Sequence, residues 1–218
     1  MTLRGDSDAL LFRRRGGFHR EKPMSNVPLP YQRSRQLLSR RSSLLLVVDV
    51  QEKLAPLIHE TERLVANCLK LVQCAKLFDV PAVATEQYPQ GLGPTLPCLA
   101  EYFPDRPAKM RFSCAEVLNW PPAAERTDNR FQVVLCGIEA HVCVLQTALD
   151  LLAAGYQVYL VADSSSSRRQ LDWQNAMDRI GTAGAVVVTT ESVLFEWCET
   201  AAAPEFKQFV TIVKPKNL

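Results

Sequence analysis

The stretch "VVLCGIEAHVCVLQTALDLLAAGYQVYLVADSSSS", residues 133–167, decides how the chain folds. Two apolar runs rich in β-branched residues, "FQVVLCGI" (131–138) and "QVYLVAD" (157–163), bracket a segment of helical period over 141–154 that Gly155 closes. Runs that are apolar along their whole length read as strands covered on both faces, and a helix between two of them joins parallel neighbours. Outward from there, "LLLVVDV" (44–50), "PAVAT" (81–85) and "AVVVTT" (185–190) are further strands, and helices are expected over 61–78, 172–183, 191–199 and 204–212. The proline-rich residues 89–130 read as a long excursion with short helices, one of them over 113–119. Five strands alternating with helices predict an α/β fold: a three-layer, doubly wound, mostly parallel sheet of Rossmann-like type. Ligands of such sheets bind beyond the carboxyl ends of the strands.

Composition narrows the partners. The 218 residues are 47% hydrophobic and 22% charged, enough for one sizeable core. Residues 1–43 hold ten Lys/Arg against three Asp/Glu, which leaves 15 against 20 for the rest. Residues 1–42 are therefore expected to be a basic, disordered extension, and residues 43–218 the folded domain. With an acidic folded part, a nucleic-acid partner would rest on the arm alone and is not expected. Seven cysteines without a C-x-x-C pair predict reduced thiols and a cytoplasmic location. Three scattered histidines (His19, His59, His141) predict no metal site, and no apolar run reaches the roughly 20 residues that span a bilayer.

The strand ends hold the candidate chemistry. Asp49 closes the first strand, where burial would raise its pKa and make it a usable base; an isolated strand-end Asp more often caps a turn. Thr85, Glu86, Gln87 and Tyr88 follow the second strand and offer polar lining to a pocket. On a regular helix over 141–154, Cys143 aligns with Gln146, Thr147 and Asp150, away from the ridge of Val142, Leu145, Leu149 and Leu152. It also occupies the first turn, where free N–H groups and the helix dipole favour a thiolate. His141, two residues earlier, points about 100° away per residue and is not its base. Lys109 sits among Pro107, Ala108, Met110 and Phe112, where a lysine usually snorkels outward.

Taken together, these motifs resemble the isochorismatase-like cysteine hydrolase superfamily. The ordered set is D-x-Q after the first strand, K-x-x-F-S at Lys109, Phe112 and Ser113, and G-I-E-A-H-V-C-V-L-Q-T at the helix start. Thr85–Gly93 and Val161–Arg168 are similar to the T-E-Q-Y-P-x-G-L-G and V-A-D-x-x-S-S-R stretches of the isochorismatase domain-containing group. The resemblance covers about residues 43–213 and implies an isochorismatase-like hydrolase fold with an Asp49–Lys109–Cys143 triad. It further implies a cis peptide at Ile138–Glu139 and an oxyanion hole from the backbone N–H groups of Glu139 and Cys143. The implied reaction is hydrolysis of a C–N bond in a small amide, imide or carbamoyl compound through an acyl-cysteine, with no cofactor.

Glu86, Tyr88, Phe112 and His141 are the expected substrate-pocket residues. Where nicotinamidases of the superfamily have T-x-D-W-H, Gln87 replaces the acid and Pro89 the histidine, so their metal is not expected here. Isochorismatases proper cleave a vinyl ether without a cysteine, and Cys143 argues against that alternative. The other alternative is a non-catalytic homo-oligomeric assembly protein with a vestigial site, for which "SVLFEW" and "FKQFVTIV" would supply the interface.

Overall fold

A computed structural model describes residues 31–214. Six parallel strands form one sheet in the order β3-β2-β1-β4-β5-β6. They are β1 (Ser43–Val48), β2 (Ala82–Gln87), β3 (Ala108–Lys109), β4 (Gln132–Ile138), β5 (Gln157–Ser166) and β6 (Val186–Val188). The longer helices are α1 (Thr61–Leu77), α5 (Leu145–Ala153), α6 (Gln170–Thr182), α7 (Thr190–Cys198) and α8 (Phe206–Val213). Three four-residue helices, α2 (Pro89–Leu92), α3 (Pro97–Ala100) and α4 (Ala115–Leu118), punctuate the excursion between β2 and β4. The fold is thus the doubly wound α/β architecture that the alternating pattern predicts.

Alternation along β1 shows how one strand serves two cores. Leu45 and Val47 join the cluster formed with α1, α7 and α8, whose largest member is Trp197. Leu44, Leu46 and Val48 join the opposite cluster, with Ala148 and Leu151 of α5 and Ile180 of α6. Successive strand side chains point to opposite faces, so a strand covered on both sides is apolar throughout. Trp197 is fully buried yet satisfied, because its indole N–H donates to Ser43 Oγ at 2.9 Å.

Three of the differences from the expected boundaries matter most. A sixth strand, β3, pairs at Glu86↔Ala108 and Gln87↔Lys109, in a segment expected to be loop. β2 runs on to Gln87, two residues past its expected end, because β3 gives those residues a partner. The folded unit begins at Ser34 rather than at residue 43. Leu38 is fully buried in the core, and Gln36 accepts from the Tyr159 hydroxyl at 2.9 Å, so this part of the basic stretch packs on the domain. The expectation of disorder for the rest falls mainly on residues outside those described.

The chain lays down β1, β2 and β3 in one direction and then returns to place β4 on the other side of β1. The switch point between β1 and β4 is where such sheets open a crevice. At that point Val48 pairs with Gly137, which has φ +118°, and a Cβ there would lie 2.2 Å from the Val48 carbonyl oxygen. Only glycine lets the two strand ends close up at this distance. Gly137→Ala is expected to cost ~3 kcal/mol or more through combined backbone strain and overpacking, read as a lower denaturant midpoint.

Candidate active site

Asp49 follows β1 at the switch point with φ +53°, a left-handed conformation that Asp tolerates better than most residues. Its N–H bonds to the Thr85 carbonyl at 3.2 Å, which keeps the turn against β2. The carboxylate is fully buried. Thr85 Oγ1 donates to Oδ1 at 2.8 Å, and Lys109 Nζ donates to Oδ2 at 2.7 Å.

Lys109 reaches Asp49 from β3, across the edge of β2. Its ammonium group also donates to Gln87 Oε1 at 2.7 Å and to the Phe112 carbonyl at 2.8 Å. The side chains of Lys109 and Asp49 are 1% and 0% exposed, so this ion pair sits in the interior. Burial works to lower the lysine pKa; the Asp49 carboxylate, helped by the thiols of Cys114 and Cys143, outweighs it, and the net shift is upward. The ammonium form therefore persists through the neutral range and beyond it.

Cys143 lies in a wide π-type turn, Ala140–Val144, that precedes α5. The Glu139 carbonyl accepts from the N–H groups of Val142 at 3.0 Å and Val144 at 3.2 Å. That wider turn changes the phase of the helix start. Cys143 is 5% exposed and belongs to the cluster with Val144 and Ala148, whereas a regular helix from 141 would have put it on the polar side. Burial first, and then the charge of Asp49, push its thiol well above the ordinary cysteine range, with Lys109 opposing. Burial and the neighbouring carboxylate thus oppose the thiolate that the helix start by itself would favour.

Asp49, Lys109 and Cys143 are thereby gathered at one sheet edge from the ends of β1, β3 and β4. The peptide Ile138–Glu139, between β4 and the turn, is cis. The four expected pocket residues are placed differently from one another. Glu86 points away from Thr85 and Gln87, on the other face of β2, and its Oε1 accepts from Arg106 Nε at 2.9 Å and from Thr95 N and Oγ1 at 2.8 and 2.9 Å. Burial works to raise its pKa, but these donors and the Arg106 charge bring it below the ordinary value. Glu86 is therefore a crosslink that ties β2 to the excursion, not pocket lining.

His141 is half-buried and bonds through Nδ1 to Ser167 Oγ at 2.9 Å, facing the β5–α6 loop. Tyr88 and Phe112 are 47% and 52% exposed, and both meet Lys109 through their backbones: the Tyr88 N–H bonds to the Lys109 carbonyl at 2.9 Å, and the Phe112 carbonyl accepts from Nζ. The Tyr88 ring lies over Gly91, where a Cβ would be 2.2 Å from Cε1, so that glycine leaves room for the aromatic ring.

Four further residues complete the surroundings. Gln87 and Thr85 contact the two members of the ion pair, as described. Cys114 lies 3.3 Å from Thr85 Oγ1; because that hydroxyl gives its proton to Asp49, the thiol is the donor. Burial and the nearby Asp49 charge lift the Cys114 pKa to about 11. Thr147 Oγ1, from α5, accepts the Cys114 N–H at 2.9 Å and is fully buried, although it falls on the polar side of the predicted wheel. No cluster of three or more His, Cys, Asp and Glu able to hold a metal ion occurs among the described residues. No helix among them is long and apolar enough to cross a membrane.

Comparison with known proteins assigns the chain to a family. The family model described as "Isochorismatase domain" matches residues 43–192. Isochorismatase domain-containing protein 2A of Mus musculus is 40% identical over 176 residues, covering 79% of this chain and 83% of its own length. The corresponding Danio rerio protein 2 is 40% identical over 171 residues, with 78% and 86% covered. Among solved structures, a Caenorhabditis elegans protein named MAR1 ribonuclease superposes with a TM-score of 0.73 at 35% identity, covering 81% of this chain and 92% of its own. The YcaC gene product of Escherichia coli, described as an octameric hydrolase of unknown specificity, superposes with a TM-score of 0.70 at 25% identity, covering 83% and 97%. With its fold, relatives at 40% identity and a family match spanning most of the chain in agreement, this protein belongs to the isochorismatase domain family.

Proposed function

We propose that this protein is a cysteine hydrolase that cleaves a C–N bond of a small amide, imide or carbamoyl compound. The observation that carries the reading is the fully buried Asp49–Lys109 ion pair beneath a buried thiol. A cation and an anion in the interior cost several kcal/mol to desolvate, and hydrophobic residues would pack there as well. Retaining both next to Cys143 makes chemical sense if the pair has work to do on the sulfur.

Charge bookkeeping makes that work specific. At rest the three groups are a carboxylate, an ammonium and a neutral thiol, with no net charge. When the substrate enters, the S–H proton passes to Asp49, the sulfur bonds to the acyl carbon and the carbonyl π electrons move to oxygen. The thiolate character that develops faces Lys109 in place of the carboxylate, so the interior never holds an uncompensated charge. The oxyanion is received by the backbone N–H groups of Glu139 and Cys143; losing one such donor costs roughly 10²–10³ in rate. Asp49 then returns the proton to the leaving nitrogen as the C–N bond breaks. Water, deprotonated by Asp49, releases the acid and regenerates the thiol.

The test is intact-protein mass spectrometry during incubation with a panel of small amides, imides and carbamoyl compounds. A turned-over compound is expected to leave an acyl mass on the peptide containing Cys143, and Cys143→Ala is expected to show none. Turnover without any adduct, undiminished in Cys143→Ala, overturns the reading. Iodoacetamide is a poorer guide, because Cys98 is exposed and Cys143 is buried, so Cys98 labels first.

A second reading follows from the name of the Caenorhabditis elegans neighbour. Phosphodiester cleavage at the Asp49–Lys109 pair would need a base and a cation but no thiol. RNA cleavage that survives Cys143→Ser but not Asp49→Asn would favour it. For assembly, we propose a homo-oligomer, on the likeness to the octameric YcaC; light scattering of the full chain reads it directly.

A further inference from the structure

We infer that Gln87 faces Lys109 as a neutral acceptor, so that Asp49 alone balances the lysine's charge and that charge is free to serve the sulfur when the proton moves. This inference rests on the proposal that Cys143 is the nucleophile.

Lys109 Nζ has three N–H bonds, and the structure fills them with Asp49 Oδ2 at 2.7 Å, Gln87 Oε1 at 2.7 Å and the Phe112 carbonyl at 2.8 Å, with the Arg111 carbonyl farther off at 3.4 Å. Asp49 is the one ionised acceptor in that set. The Gln87 amide is locked in this sense, because its Nε2 donates to the Met110 carbonyl at 2.9 Å and leaves only Oε1 to face the ammonium. Its backbone is locked as well. Gln51, the fully buried last residue of the D-x-Q motif, accepts the Gln87 N–H at 2.8 Å and donates to the Gln87 carbonyl at 2.9 Å, as a neighbouring strand would. A second bond from Gln51 Nε2, to the Gly93 carbonyl at 2.7 Å, anchors the clamp. The motif that opens with the proposed base thus ends by fixing the residue whose neutral amide faces the cation.

Why an amide is needed follows from the charge count. With Gln87, the group of Asp49, Lys109 and Cys143 is neutral before and after the proton moves. A carboxylate at the same distance from Nζ would leave the group at minus one and oppose any further negative charge on sulfur. With an effective dielectric constant near 20, a unit charge anywhere within about 8 Å of the sulfur opposes it by more than the energy of a tenfold rate change.

The experiment compares carbamidomethylation of Cys143 by iodoacetamide, followed by peptide mass spectrometry at pH 8, in a Cys98→Ser background. Gln87→Glu keeps the length and the acceptor and adds charge; Gln87→Met removes the hydrogen bonds and adds none. The expected result is that Gln87→Glu reacts at least about tenfold more slowly than the parent, and Gln87→Met within about threefold of it. Purely structural support would give the reverse order. Gln87→Met as slow as or slower than Gln87→Glu, or both equal to the parent, overturns the inference.

Should Gln87→Glu fail to fold, Gln87→Asp against Gln87→Asn repeats the comparison one methylene shorter. The two differ only in charge, and equal rates for that pair overturn the inference. The alkylation rate reads the thiol's chemistry whether or not turnover occurs. A Cys143→Ala variant that still turns over substrate would instead remove the proposed function itself.

Discussion

Cys143→Ser is expected to lose roughly 10⁴-fold or more in turnover while keeping a thermal midpoint close to that of the parent. The chemical reason is that the hydroxyl's proton is far harder to remove than the thiol's. Asp49, held as the partner of a buried ammonium ion, is matched to a sulfur acid and not to an alcohol. The structural reason for the small stability effect is that serine is slightly smaller than cysteine and finds the Asp49 carboxylate as a hydrogen-bond acceptor beside it. Cys114 cannot take over. Its thiol donates to Thr85 Oγ1, the hydroxyl that in turn donates to Asp49 Oδ1, so a threonine stands between it and the proposed base. Cys114→Ser should therefore retain most activity, and the contrast between the two variants separates the nucleophile from a buried neighbour. Comparable losses in both, measured as kcat/KM on any turned-over compound, would remove the distinction on which the mechanism stands.

Much of the fold was legible because the strands of the sheet centre are covered on both faces. β1, β4 and the first half of β5 then read as apolar runs, rich in β-branched residues and of strand length. β3 was not legible. Two residues in a proline-rich stretch carry no periodicity, and only the register with Glu86 and Gln87 makes them a strand. That omission hid more than an edge. With β2 ending at Thr85, the directions of Glu86 and Gln87 are undetermined, and Glu86 reads as pocket lining. Once β2 continues, alternation puts Gln87 on the face of Thr85 and sends Glu86 to Arg106. Asp49 and Cys143 were visible as strand-end and helix-start residues, but Cys143 was visible for a partly wrong reason. A regular helix would have displayed it on the polar side, and the π turn buries it instead. Thr147, polar on that same side of the wheel, was the available sign that this side faces a site and not solvent. Nothing in the sequence marked Cys114.

Lys109→Met is expected to be the most destabilising single change at the site, at about 3–5 kcal/mol, read as a lower denaturant midpoint at neutral pH. The cost is not the loss of the ion pair as such, because a buried pair replaced whole by apolar residues is often neutral. It arises because Asp49 would remain fully buried with Thr85 Oγ1 donating to one oxygen and no cation at the other. Three further acceptor groups, Gln87 Oε1 and the Phe112 and Arg111 carbonyls, lose their donor together. Two consequences separate this account from simple packing loss. First, protonation of the orphaned carboxyl removes the buried charge. The folded variant then binds more protons than its unfolded chain, and its deficit against the parent shrinks as the pH falls toward the unfolded Asp value near 3.9 and grows above it. Second, Asp49→Asn combined with Lys109→Met should recover a large part of the lost stability, since no charge is left uncompensated, while turnover stays absent in both. In the parent, the lysine's folded pKa is raised. Its stabilising contribution is therefore complete below the unfolded lysine value near 10.4 and is lost as pH rises through the higher folded value. A deficit that is the same at pH 5 and pH 8, and additive with Asp49→Asn, would mean that Lys109 is held for its packing. The charge argument for the site would then fall.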